Sequence, residues 1–275
     1  MTTPRRPRST SSHLGLRREL LDAVAMLLTQ ARSALFITGA NMSADSGLPH
    51  YRGLPGLLRR KPEDGKLYEY ALSIDTLRKK PGTTWKYLLD MEQQVRSVVP
   101  NRGHEILVAL ERDLKRSTTM TVNVDRLHQR AGSRNVIEMH GALFDLLCSS
   151  CEISRRVESY DEIDIPPKCS TCGSVLRPDM PLFGEALPAD PFTRLQAELE
   201  TGFDLVFAIG VSSMHAYLAR PLLVAKSEGI PTIEINASAT DISELVDFKF
   251  RGTPMRVLDL IFDAYKQLPR RTQPG

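Results

Sequence analysis

The chain has 275 residues, 41% hydrophobic and 25% charged, with a formal net charge of +3. That length buries a full core, in one large domain or in a large and a small one. The charge is too slight to argue for nucleic acid, and no apolar run approaches the roughly 20 residues that span a bilayer.

Residues 1–15 read as a disordered basic tail, because MTTPRRPRSTSSH is rich in Pro, Ser and Arg and holds no acid. It has no apolar stretch, so it is not a secretory signal, and its two prolines argue against the amphipathic helix of a transit peptide. Leu16 to Ala31 carries Leu20, Leu21, Val24, Leu27 and Leu28 at helical spacing. The run Ala34 to Thr38 then reads as a buried strand that enters a turn at Gly39. Similar runs recur at Thr118 to Asn123, Val136 to Met139, Asp204 to Ile209 and Pro231 to Ile235. Helical patterns fall between them at Gly103 to Leu114, Pro191 to Leu199, Tyr217 to Ser227 and Thr253 to Leu268. The alternation predicts an α/β fold with a Rossmann-type, doubly wound parallel sheet. Such sheets bind ligands beyond the carboxyl ends of their strands. That selects Gly39 to Ser46, Asn123 to Asp125, His140, Gly210 to Ser213 and Asn236 as residues facing one crevice.

Two stretches interrupt the alternation. Pro49 to Pro100 is helical in character, with loops expected at Gly53 to Gly56, Pro62 to Gly65 and Pro81-Gly82. Leu147 to Asp179 holds all the cysteines and the turn Pro166-Pro167. The expected division is a dinucleotide-binding domain of residues 16–48, 101–146 and 180–268, a small helical and cysteine-bearing module of residues 49–100 and 147–179, and a tail of residues 269–275.

The four cysteines form two C-x-x-C pairs, Cys148 with Cys151 and Cys169 with Cys172. The separation of the pairs lies in the window of paired-cysteine zinc modules, and four thiolates close a tetrahedral site with no open position. One structural Zn²⁺ per chain is therefore expected. It also places the chain in a reducing compartment, read as the cytoplasm. The segment after the first strand, Gly39-Ala-Asn-Met-Ser-Ala, matches only the first glycine of G-x-G-x-x-G, with Asn41 and Ala44 at the other two. On its own it is a weak phosphate loop, and an ordinary strand–helix turn fits as well.

Further motifs stand in order along the chain: Gly39 to Gly53, Pro100 to His104, Thr121 to Gly132, His140-Gly141, Cys172 to Pro188, Gly210-Val-Ser212 and Ile235-Asn236. In turn they match the patterns GAGxSxxSGIPDFRG, PNxGH, TQNIDxLHxxAG, HG, CGGxLRPxVVxFGExxP, GTS and INxE. Taken together, these motifs resemble the sirtuin family of NAD-dependent protein deacylases, from about Leu20 to Leu268, and the chain reads as a divergent bacterial-type member. The resemblance implies that NAD and an acylated lysine of a protein or peptide meet between the two domains. His140 would be the base, and Asn123 and Asp125 would orient ribose and nicotinamide amide. Gly39, Ala40, Asn41, Ser43, Tyr51, Arg52, Val122, Gly210, Ser212 and Asn236 would hold the rest of NAD. Pro181, Phe183 and Gly184 would line the acyl-lysine channel. His104 and His128 read as structural, while His50 and His215 take no role.

Three departures fall in the cofactor site. Asn41 replaces a glycine, Val122 a glutamine and Val211 a threonine, each removing space or a polar contact. The Tyr-x-x-Arg pair by which some members read an acidic acyl group is replaced by Leu88 and Met91. An apolar pocket favours acetyl or longer neutral chains, since a buried carboxylate without a partner is costly. The main alternatives are an NAD hydrolase or ADP-ribosyltransferase, and a degenerate fold that senses NAD or ADP-ribose without turning it over.

Overall fold

The computed structural model describes residues 11–48, 68–211 and 215–269. Helix α1 (Ser11–Gln30) leads into β1 (Ser33–Thr38) and the short α2 (Ala40–Ala44). After residues 49–67 come α3 (Tyr68–Ala71), α4 (Ile74–Lys79) and α5 (Pro81–Arg96). The chain returns through α6 (Arg102–Asp113), β2 (Arg116–Thr121), α7 (Leu127–Ala131) and β3 (Val136–Glu138). It then leaves again through β4 (Ala142–Cys148), β5 (Ser154–Arg156) and β6 (Leu176–Asp179). It closes with α8 (Ala189–Thr201), β7 (Leu205–Ile209), α9 (Ala216–Ser227), β8 (Thr232–Asn236), β9 (Phe248–Arg251) and α10 (Pro254–Gln267).

Six strands form one sheet in the order β3-β2-β1-β7-β8-β9, every pair parallel. The chain winds outward from β1 in one direction, then crosses back to β7 and winds outward in the other. That is the doubly wound topology expected, with its reversal between β1 and β7. The strands are covered on both faces, which is why they read as continuous apolar runs. Phe36 and Phe207 point to the side of α1, α6 and α10, with Val24, Ile106 and Phe262. Leu35, Ile37, Val206 and Ala208 point to the side of α8 and α9, with Leu195, Leu218 and Leu222.

A third core belongs to the insertions. Trp85 from α5 and Tyr160 are almost fully buried against Leu143, Leu146 and Cys148 of β4. Strands β5-β4-β6 form a separate antiparallel sheet there, and the Trp85 indole donates to the Leu176 carbonyl at 3.0 Å.

Four details differ from the sequence reading. The expected boundary at residue 146 falls inside β4, which pairs with β5 and β6 and so belongs with the small module. Its apolar run follows His140-Gly141 without punctuation, so composition does not mark the change of sheet. Pro81-Gly82 is not a loop but opens α5, since proline at the first helical position loses no hydrogen bond. Strand β9 escaped notice because Phe-Lys-Phe-Arg is short and alternates apolar with charged residues, as an edge strand does. Helix α1 starts at Ser11, upstream of its apolar periodicity and inside the expected tail.

Candidate active site

The reversal between β1 and β7 is closed by direct backbone contact. Gly39 N–H donates to the Ile209 carbonyl at 3.1 Å, and Asn41 N–H to the Gly210 carbonyl at 3.2 Å. Gly210 sits at φ +66°, and a Cβ there would stand 2.6 Å from the Met42 nitrogen, so only glycine lets α2 approach the end of β7.

Above this contact opens a cavity of about 440 Å³. Gly39, Ala40, Asn41 and Ser43 line it from the β1–α2 turn, Val122, Asn123 and Asp125 from the end of β2, and His140 from the end of β3. Pro181, Phe183 and Gly184 line it from the segment after β6. Much of the remaining wall is apolar and includes Leu72, Met91, Val95, Met180 and Leu182. Gly210 lies beneath the loop. Tyr51, Arg52 and Ser212 lie outside the described residues, as does His50. Leu88 does not reach the cavity. It is fully buried in the small-module core one turn before Met91, and Gln94 and Val95 continue the lining face of α5.

A buried hydrogen-bond chain organises the polar floor. Asn123 Nδ2 donates to the Gly39 carbonyl at 3.1 Å and to Ser43 Oγ at 3.0 Å. Ser43 Oγ donates to Asp125 Oδ2 at 2.6 Å, and the Leu127 N–H donates to Oδ1 at 2.9 Å. Burial pushes the Asp125 carboxyl above its usual range, against these bonds. Asn41 adds a bond at the far end, its Nδ2 donating to Asn236 Oδ1 at 2.7 Å. Asn236 in turn donates to the Val211 carbonyl at 2.6 Å.

His140 stands where β3 ends, and the residue after it must be glycine. Gly141 has φ +61°, and a Cβ there would fall 1.8 Å from the Asp179 carbonyl oxygen. Nε2 of His140 lies 2.8 Å from the Tyr217 hydroxyl. Burial lowers the pKa of His140, the neighbouring His215 lowers it further, and a hydrogen bond with the Val122 backbone opposes them. Both effects favour the neutral ring, the form able to accept a proton. His215 stacks on Tyr217 with rings 5.7 Å apart and 2° from parallel, and Phe192 meets the same ring edge-on at 5.6 Å.

Tyr217 and His215 both line the cavity, and the sequence reading gave neither a role. Tyr217 was legible only as the start of a helix. The available signal was its place just past a carboxyl-end turn of the sheet. His104 and His128 are structural, as expected. Their buried rings lie 4.8 Å apart, His104 accepts the Asn101 N–H in the capping box of α6, and His128 Nε2 bonds Thr38 Oγ1 at 2.8 Å. Burial pushes His104 down to about 4 and His128 well below the usual histidine range.

The four cysteine sulfurs lie within 4.8 Å of one another. Cys148 to Cys172 and Cys151 to Cys169 are each 3.5 Å, too long for a disulfide bond of about 2.05 Å. Tetrahedral Zn–S bonds of about 2.3 Å require S–S edges of roughly 3.8 Å, so the donor set fits zinc with all four positions filled. Among the described residues no helix is long and apolar enough to cross a membrane.

A doubly wound sheet with a half-buried histidine beyond the end of its β3 strand and a four-cysteine module beside it defines a nucleotide-binding α/β protein with a structural metal site. The Sir2 family matches residues 39–216. The chain is 41% identical to NAD-dependent protein deacylase 2 of Pseudomonas aeruginosa over 244 residues, covering 88% of this chain and 94% of that one. A solved Sir2 homologue bound to NAD superposes with a TM-score of 0.80 at 35% identity, covering 90% of this chain and 95% of that one. A mutant Sir2 homologue bound to ADP ribose gives 0.82 at 34% identity, covering 89% and 96%. The chain belongs to the Sir2 family.

Proposed function

We propose that the protein is an NAD-dependent protein lysine deacylase. It transfers the acyl group of a modified lysine to ADP-ribose and releases nicotinamide. The observation that carries this reading is His140 in one cavity with the Asn123–Ser43–Asp125 chain, at the carboxyl ends of the strands of a Sir2-family sheet. NAD is the second substrate, and it supplies the ribose hydroxyl that receives the acyl group. Gly39, Ala40, Asn41, Ser43, Gly210 and Asn236 border its place, and the family motifs assign Tyr51, Arg52 and Ser212 to the same cofactor. His140 is the base for the ribose hydroxyl, while Asn123 and Asp125 fix ribose and amide. Pro181, Phe183 and Gly184 form the channel for the acyl-lysine of a protein or peptide. Phe183 is partly exposed there, and the Arg177–Glu185 ion pair, at 2.5 Å, braces the segment. Cys148, Cys151, Cys169 and Cys172 hold the structural zinc, and free thiols in that role support a cytoplasmic location. Residues 16–48, 101–141 and 180–268 serve as the NAD domain, and residues 49–100 and 142–179 as the small module.

Incubation with an acetyl-lysine peptide tests the reading, with and without NAD. Deacetylation that requires NAD supports it. Nicotinamide release without deacetylation points to hydrolase or ADP-ribosyltransferase activity, and neither points to a sensor.

Two further outcomes follow from the walls of the cavity. Leu72, Met91, Val95 and Met180 offer no cation to an acidic acyl group. Succinyl-lysine should therefore be at least about tenfold poorer in kcat/KM than acetyl- or longer-chain acyl-lysine on matched peptides, equivalent to ~1.4 kcal/mol. A succinyl preference would refute the pocket argument. Val122 lines the cavity with a side chain that cannot hydrogen-bond. Val122→Gln should raise kcat/KM for NAD by up to ~10-fold through one recovered polar contact. A fall instead would mean that valine packs productively against the bound substrates.

A further inference from the structure

We infer that His140 reaches the ribose hydroxyl through Tyr217, whose hydroxyl relays the proton. The inference rests on the deacylase reading above. Three observations carry it. Nε2 of His140 is already engaged by the Tyr217 hydroxyl at 2.8 Å, and the Val122 backbone also hydrogen-bonds the ring. Both residues line the same cavity as Asn123 and Asp125, the cavity to which the deacylase reading assigns the ribose. Tyr217 is also held in place, clamped between the stacked His215 ring and the edge of Phe192. It projects from the first turn of α9, so its position is set by a helix rather than a loop. A tyrosine used only to fill space needs none of this aim.

The step balances. The acyl oxygen has by then bonded to the ribose carbon in place of nicotinamide, leaving the acyl carbon doubly bonded to the lysine nitrogen. The ribose O–H bond breaks and its proton passes to Tyr217 Oη. The proton already on Oη passes to His140 Nε2. Tyr217 ends neutral and His140 ends as imidazolium. The electron pair left on the ribose oxygen forms the bond to the acyl carbon, whose π pair moves onto the lysine nitrogen. A hydroxyl that accepts and donates at once needs no shift of its own pKa, because it never carries the charge.

Tyr217→Phe tests the relay, since it deletes one oxygen and keeps the ring clamp. Two rates are measured: exchange of free nicotinamide into NAD, which precedes the base, and formation of acyl-ADP-ribose, which requires it. Acyl transfer should fall at least tenfold while exchange changes less than twofold and KM for peptide holds. The wild-type protein also gives a test that needs no variant. In mixed light and heavy water, two protons in flight curve the dependence of the acyl-transfer rate on deuterium fraction. A linear dependence overturns the relay. So does Tyr217→Phe protein that transfers acyl groups at the wild-type rate or faster, which would show that the tyrosine merely covers the base. An equal loss of both rates would show a structural role and overturn it as well. A wild-type protein that deacylates no peptide removes the underlying reading, and the relay falls with it. Wild-type deacylation with an unaffected variant overturns the relay alone.

Discussion

Removal of zinc, or Cys169→Ala, is expected to unfold the small module and abolish activity. The strands around the site are too short to hold themselves: β5 has three residues and β6 four. Cys148 is fully buried in the core formed by Trp85, Tyr160 and Leu146, so the metal staples the sheet to the helical insertion and not to solvent. Structural zinc contributes roughly 10–16 kcal/mol in small zinc peptides at neutral pH. Losing even ~4 kcal/mol of that lowers Tm by about 8–16 °C, at about 2–4 °C per kcal/mol for a chain of this size. The same core supplies Met91 and Val95 to the cavity wall, so activity should fall with the module. Metal analysis should find one zinc per chain, and thermal unfolding with a strong chelator should show the lower Tm. Protein that is stable and active without zinc would contradict this.

The central sheet was legible because its strands are buried on both faces and stand apart as apolar runs between helices. The crevice was legible for a related reason. Once the strands are placed, their carboxyl ends select Gly39, Asn123, Asp125 and His140 with no contact known. The metal site needed only four cysteines and their spacing. Other parts were hidden for physical reasons. Strand β9 is an edge strand, and its charges mask it. Strand β4 is apolar in the manner of the main sheet, and only its partners reveal that it belongs elsewhere. Leu88 and Met91 lie on neighbouring turns of α5, and spacing alone does not decide which one faces the cavity. Tyr217 and His215 were missed for the same reason. Periodicity marks the buried face of α9, through Leu218 and Leu222, and says nothing about which side chain of the first turn reaches back over the sheet edge to His140. The Asn41–Asn236 bond was equally unreadable, since it joins residues at the two ends of the fold. It gives the substituted glycine position a partner, which a vacancy in a motif does not reveal.

His140→Ala should lower acyl transfer by about 10²- to 10⁴-fold, the usual contribution of a positioned general base. The fold should persist, because the ring is only partly buried and its side-chain partner, Tyr217, stays clamped by His215 and Phe192. Zinc content and Tm near the wild-type values would confirm that the loss is chemical. The pH profile supplies the second half of the argument. The base works only as neutral imidazole, so the rate falls as pH drops through its pKa. Burial and the nearby His215 move that pKa below the usual histidine value of about 6.5. The acid limb of kcat/KM should therefore lie below pH 6.5, with the rate flat from there through neutrality. In His140→Ala the residual rate should show no such limb. A wild-type limb above 6.5 would mean that the imidazole is stabilised in its charged form, against the desolvation seen here. Unchanged turnover in His140→Ala would mean that another group takes the proton. In that case the family mechanism, and the relay through Tyr217 with it, does not apply to this chain.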